Sequence, residues 1–189
     1  MKTFSHLLFR YSCFVVISLL GFCGLECKAS ERHLWDEGWR FSLHQDDKPQ
    51  QSAFDDSAWR LLDLPHDWAI EGDFYAQNPS GANGGALPGG KGWYRKHLIL
   101  HDNDAASRYV LHFDGAYMNT SVFVNGMLVG TRPYGFISFS YDLTPYLDKQ
   151  GDNVIAVKVD NSQQPNSRWY TGCGIYRHVY LSKSTDIRV

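Results

Sequence analysis

The chain has few cysteines, Cys13, Cys23, Cys27 and Cys173, and three of the four fall within the first thirty residues. If that segment is removed on export, one thiol remains, no internal disulfide can form, and stability has to come from a packed core. A single cysteine beside two glycines reads as a small buried side chain rather than a nucleophile. A basic stripe is missing as well: the net charge is -2 with both signs interspersed, so nucleic acid is not an expected partner. The apolar run Phe14 to Phe22 is interrupted by Gly21 and falls short of the roughly 20 residues that a membrane span needs. Beyond residue 30 no window offers a long, capped amphipathic helix. The eight histidines are scattered, and Cys173 has no partner at metal-ligand spacing. No metal and no cofactor are expected.

Lys2 and Arg10 precede the apolar core, which ends near Cys27-Lys28-Ala29, the order of parts in a secretory signal. Residues 1–29 are expected to be removed before Ser30; retention as an anchor is the other reading. The product is expected outside the cytoplasm, periplasmic or extracellular, and free of the membrane after cleavage. Residues 30–184 suffice for one domain with a sizeable core, and 185–189 read as the start of a linker.

What the chain does have is alternation with a period of two. Arg108 to Phe113 sends Tyr109, Leu111 and Phe113 to one face. Thr120–Val124 and Met127–Gly130 flank Asn125-Gly126, the strongest short hairpin signal, because both residues tolerate positive φ. Asn153 to Val159, Tyr94 to Leu100 and Arg177 to Leu181 read as further strands. The class is all-β, and short strands separated by turn signals point to a sandwich or jelly roll. Between Gln77 and Gly92 the chain is too rich in glycine and proline for a strand, so a surface loop is expected there. Its glycines match no phosphate-loop spacing, and no helix follows to hold an anion.

Aromatic residues make up 15% of the chain, six of them tryptophan. Most tryptophans pack in cores, yet an exposed aromatic face also stacks on the apolar face of a ligand. The stretch Asn161 to Tyr180, NSQQPNSRWYTGCGIYRHVY, places Arg168 and Trp169 in a polar loop just before a strand-like run. A guanidinium beside an indole is suited to sugar hydroxyls and a sugar face. His66 and Asp67, between Pro65 and Trp68, read as a loop pinned against the sandwich.

The order of landmarks adds to this: Trp39-Arg40-Phe41, Leu64-Pro65-His66-Asp67-Trp68, Gly92-Trp93-Tyr94-Arg95-Lys96, Phe113-Asp114-Gly115, Val124-Asn125-Gly126, Gly135-Phe136, Asp142-Leu143-Thr144, Val159-Asp160-Asn161 and Ser167-Arg168-Trp169-Tyr170 with Gly174-Ile175-Tyr176-Arg177. Together they resemble the N-terminal sugar-binding domain of glycoside hydrolase family 2, β-galactosidase type, from Trp35 to about Ser184. The resemblance implies a jelly-roll β-sandwich, galactose-binding-domain-like, followed in full-length relatives by an immunoglobulin-like domain and a TIM barrel that carries the catalytic glutamates. It also implies that loops of the sandwich reach the barrel mouth and help to form the sugar subsite. Carried over by position, Asp160, Asn161, Arg168 and Trp169 are the implied sugar contacts, with Asn78 a second contact from the glycine-rich loop. The other reading of Asp160 and Arg168 is a mutual bridge that holds the loop.

Retaining glycoside hydrolysis needs two carboxyl groups about 5–5.5 Å apart. Past residue 29 the chain offers only Glu31, Glu37 and Glu71, none in a barrel-strand setting, and Asp46-Asp47 and Asp55-Asp56 sit in polar turns. No catalytic residue is expected in this chain. Two functions stay open: a non-catalytic, substrate-shaping part of a β-galactosidase-like hydrolase, or a free-standing exported carbohydrate-binding module. A purely structural sandwich without ligand is the third.

Overall fold

Alternating side chains and glycine-marked turns produce ten strands in the computed structural model, which describes residues 31–44, 46–101 and 107–185. They are β1 (Glu31–Leu34), β2 (Trp39–Leu43), β3 (Arg60–Leu62), β4 (Gly90–Leu100), β5 (Ser107–Phe113), β6 (Thr120–Val124), β7 (Met127–Arg132), β8 (Phe139–Asp142), β9 (Gly151–Asn161) and β10 (Val179–Thr185). One sheet has the order β1-β10-β5-β8 and the other β3-β2-β4-β9-β6-β7. The expected signal, residues 1–29, and most of the expected linker lie outside the described residues. Among the described residues no helix is long and apolar enough to cross a membrane.

The two sheets bury a common core. Tyr109, Leu111, Phe113, Phe139, Val179 and Leu181 from the four-stranded sheet join one cluster with Trp39, Phe41, Tyr94, Val122, Ile155, Val157 and Val159 from the six-stranded sheet. Leu111 and Ile155 are fully buried, and each such side chain contributes roughly 1.5–3 kcal/mol by leaving water. The face expected for residues 109, 111 and 113 is the buried one. The Asn125-Gly126 hairpin also forms: both residues have positive φ, 51° and 85°, and Val124 pairs with Met127 across it. Asn125 ties the turn to the sheet by donating to the Asn153 side chain (2.8 Å) and accepting from the Val154 N–H (2.9 Å).

Period-two reasoning expects one buried face per strand, but every residue of β6 is buried. The cause is a second, smaller cluster on the outer face of the six-stranded sheet, where Trp93, Phe123 and Ala156 pack with Trp59. The segment 46–59 covers this face and is held by Arg95, whose side chain is fully buried. Its guanidinium pairs with Asp56 at 2.7 Å and donates to the carbonyls of Gln51 (2.9 Å) and Phe54 (3.2 Å). A loop with no secondary-structure ladder of its own thus has its carbonyls satisfied by one buried cation.

Several boundaries differ from those expected. The strands read at Tyr94–Leu100 and Asn153–Val159 lengthen to Gly90–Leu100 and Gly151–Asn161 because the two pair with each other along their whole length. Gly90 to Gly92 therefore leave the expected loop and enter a strand. The strand read from Arg177 begins at Val179, and β1, β2, β3 and β8 carried no expectation.

Candidate functional site

The motif Pro65-His66-Asp67-Trp68 forms the floor of the loop cluster at one end of the sandwich. The His66 N–H donates to Ile175 O (2.8 Å) and the Trp68 N–H to Cys173 O (3.0 Å), while Tyr117 and Gly174 exchange both backbone hydrogen bonds (2.9 and 3.1 Å). Residues 173–175 are thus gripped from two sides. Gly174 has φ +135°, and a Cβ there would sit 2.5 Å from His66 O and from the Tyr94 hydroxyl. Only glycine fits that position.

The side chains of the motif extend the grip. Asp67 Oδ1 accepts from the backbone N–H of Cys173 (2.9 Å) and of Ala69 (3.0 Å), and Oδ2 accepts from the Tyr170 hydroxyl. His66 Nε2 lies 2.8 Å from the Arg60 guanidinium and 3.3 Å from Glu71 Oε1, and Nδ1 lies 2.7 Å from the Tyr94 hydroxyl, so both ring nitrogens are engaged. Burial holds this imidazole below its ordinary pKa, against the opposing pull of Glu71. The Cys173 thiol is buried and pushed up to about 12, chiefly by desolvation. That makes it an inert thiol.

Above this floor the loop 162–172 presents Arg168 and Trp169. An open pocket of about 500 Å³ is lined by Tyr117, Tyr134, Phe136, Asn166, Arg168 and Trp169 among others, inside the roughly 300–1,000 Å³ range of small-molecule sites. Tyr117 and Tyr134 flank Phe136 at ring-centroid distances of 5.1 and 5.6 Å. Gly135 lets this row form, since a Cβ there would run into the Tyr117 ring. Trp169 is 65% exposed, and Arg168 makes no hydrogen bond or ion pair with any of the described residues. An unspent donor fork beside exposed aromatic faces is suited to a polyol with one apolar face. On the other side of Trp169, a crevice of about 10 Å³ between Leu87, Pro88 and Gly172 has room for roughly one water.

The structure brings Arg168 and Trp169 together at the pocket, and places the other expected contacts in supporting positions. Asn161 is 1% exposed. Its Nδ2 donates to Gly172 O (3.1 Å) and Cys173 Sγ (2.9 Å), and its Oδ1 accepts from Asn166 (2.6 Å). Asp160 Oδ1 accepts from the Ser162 N–H (3.0 Å) and hydroxyl (2.6 Å), and Oδ2 lies 3.9 Å from Lys91 Nζ. The bridge to Arg168 does not form; Lys91 takes that place. Asn78 donates to the carbonyls of Asp73 (3.1 Å) and Ala86 (2.7 Å), closing its own loop, and does not line the open pocket. Tyr117, Tyr134, Phe136 and Asn166 were not anticipated as site residues; the dipeptide Gly135-Phe136 and the aromatic excess were the available signals. Among the described residues no group of three or more histidine, cysteine or acidic side chains is gathered to hold a metal.

Residues 33–185 match the family model of the glycosyl hydrolases family 2, sugar binding domain. This chain belongs to that family. The family 2 domain is 57% identical over 172 residues to the β-galactosidase BoGH2A of Bacteroides ovatus, covering 90% of this chain and 20% of that relative. It is 44% identical over 147 residues to a putative β-glucuronidase of Formosa agariphila, covering 78% of this chain and 14% of the relative. Among solved structures, a β-glycosidase from Bacteroides vulgatus superimposes with a TM-score of 0.78 at 45% identity, over 82% of this chain and 20% of that one. The family 2 domain therefore spans a fifth or less of the length of these relatives.

Proposed function

We propose that this chain supplies the non-catalytic, sugar-recognising part of an exported family 2 glycoside hydrolase acting on β-galactosides, and forms one wall of its substrate subsite. The observation that carries the reading is the unspent Arg168 guanidinium beside the exposed Trp169 at the mouth of a 500 Å³ pocket. Arg168 donates to neighbouring hydroxyls, and the indole covers the C–H face of the ring. Among the described residues no aspartate or glutamate lines this pocket; in this reading the acid and the nucleophile that cleave the glycosidic bond are supplied by an adjoining TIM barrel reached through an immunoglobulin-like domain. Identity of 57% to a β-galactosidase supports galactosides as the sugar class.

The test is a galactose titration of the 189-residue chain, paired with an Arg168→Ala exchange in the complete hydrolase. An incomplete pocket wall predicts millimolar or weaker galactose binding by the chain and a fall in kcat/KM of the variant enzyme with its fold intact. Unchanged activity of that variant on a galactoside overturns the role of Arg168. Micromolar galactose binding by the chain favours a free-standing carbohydrate-binding module instead.

A further inference from the structure

Among the described residues the Arg168 and Trp169 side chains make no hydrogen bond, but the backbone that carries them is held at two points that meet at Cys173. From one side the Asn161 carboxamide grips Gly172 O and Cys173 Sγ. From the other side the Asp67 carboxylate grips the Cys173 N–H and the Tyr170 hydroxyl. Asp67 lies outside the lining of the pocket, and Tyr170 is the residue after Trp169. Without the bond to Asp67 nothing polar holds the Tyr170 side chain among the described residues. Gly172, with φ +86°, brings the chain so close that a Cβ would stand 3.1 Å from Asp67 Oδ2. Burial and the neighbouring carboxylate hold the Tyr170 hydroxyl protonated well above its ordinary range, so it remains a donor.

We propose that Asp67 is a positioning residue of the sugar site: through the Tyr170 hydroxyl and the Cys173 N–H it sets the backbone that aims Arg168 and Trp169 into the pocket. A charge-assisted bond from a phenol to a carboxylate is stronger than a neutral one, and here it crosses from residue 67 to residue 170, two segments joined also by the Asp67 Oδ1 bond to the Cys173 N–H and by the backbone bonds of His66 and Trp68. The loop is thereby pre-ordered before sugar arrives, which lowers the ordering cost of binding. The proposal rests on the sugar-site reading above only for the ligand, since the ordering of the loop is measurable without any sugar.

The decisive variant is Tyr170→Phe in the whole chain, which removes one oxygen and leaves both backbone bonds to Asp67 in place; Asp67→Asn, which keeps an acceptor for Cys173, is the second. ¹⁵N relaxation of the 168–170 backbone and of the Trp169 indole N–H reads the order of the loop, and galactose titration reads binding. Tyr170→Phe is expected to lower the melting temperature by about 2–6 °C, to raise fast motion at 168–170 only, and to weaken galactose binding by about three- to tenfold. Asp67→Asn is expected to fall between wild type and Tyr170→Phe in both readouts. Unchanged relaxation in both variants overturns the proposal. So does weakened binding with unchanged relaxation, which would mean that the hydroxyl touches the sugar itself. If the wild-type chain ignores galactose, the sugar-site reading fails while the relaxation result still decides the role of Asp67.

Discussion

Replacing Asn161 with alanine separates a residue that holds the site from one that touches the ligand. The truncation removes two donated hydrogen bonds and one accepted bond, all inside the protein. The buried Gly172 carbonyl loses its side-chain donor, and an orphaned buried polar group costs about 1–3 kcal/mol. For a domain of this size each kcal/mol lowers the melting temperature by roughly 2–4 °C, so Asn161→Ala is expected to melt about 2–12 °C lower. Arg168→Ala is the control. That side chain is exposed and unpartnered among the described residues, and such surface changes stay within about 0.5 kcal/mol, so its melting temperature stays at the wild-type value while galactose binding falls. Circular-dichroism melts of both variants, run beside galactose titrations, provide the comparison. An Asn161→Ala protein that melts with the wild type yet loses binding refutes the reasoning, because it places the carboxamide on the sugar rather than on the loop.

Arg95→Ala strips a row of carbonyls of their cation and leaves the buried Asp56 carboxylate to the more distant Arg40 at 3.5 Å; breaking a buried pair from one side costs up to about 3–5 kcal/mol, and limited proteolysis is expected to cut first within 46–59. Cys173, with its thiol pushed up to about 12 by burial, is expected to resist iodoacetamide at pH 8 in the folded chain and to react once guanidinium unfolds it, read by mass on the Cys173 peptide. His66 has its folded pKa lowered by burial; its contribution to stability is therefore present above the unfolded value of about 6.5 and lost as pH falls through the lower folded value. Melts at pH 7.5 and 5.5 are expected to show a larger drop for the wild type than for His66→Gln, and equal drops would refute the assignment.

The strands that were legible in the sequence are those marked by period two or by the Asn125-Gly126 turn. Tyr109, Leu111 and Phe113 point inward, and Asn125-Gly126 turns the chain by local backbone preference alone. Strands β1 and β3 were not legible because they are short and largely exposed, so no apolar pattern marks them, and β8 because four residues around one buried ring are too few to show a period. The fully buried β6 escaped single-face reasoning because its second face is covered by a distant segment. At the site, Arg168 and Trp169 were readable as a polar-aromatic pair in a loop. Asn161 and Asp160 carried the same polar signature, and nothing local distinguishes a side chain turned into the protein from one turned toward a ligand.

By itself the sequence determined what depends on near neighbours and on chain order: strand periodicity, the hairpin, the all-β class and the family to which the chain belongs. Only the tertiary structure decided how polar side chains are spent, because the bonds of Asp67 to Tyr170 and Cys173 and of Arg95 to the 49–56 segment reach partners far along the chain, and those of Asn161 close a folded loop. It also decided that Arg168 and Trp169 are left over, and that Tyr117, Tyr134 and Phe136 come from other segments to meet them. A binding surface is made of what folding leaves unpaired, and pairing across long separations is a property of the assembled sandwich.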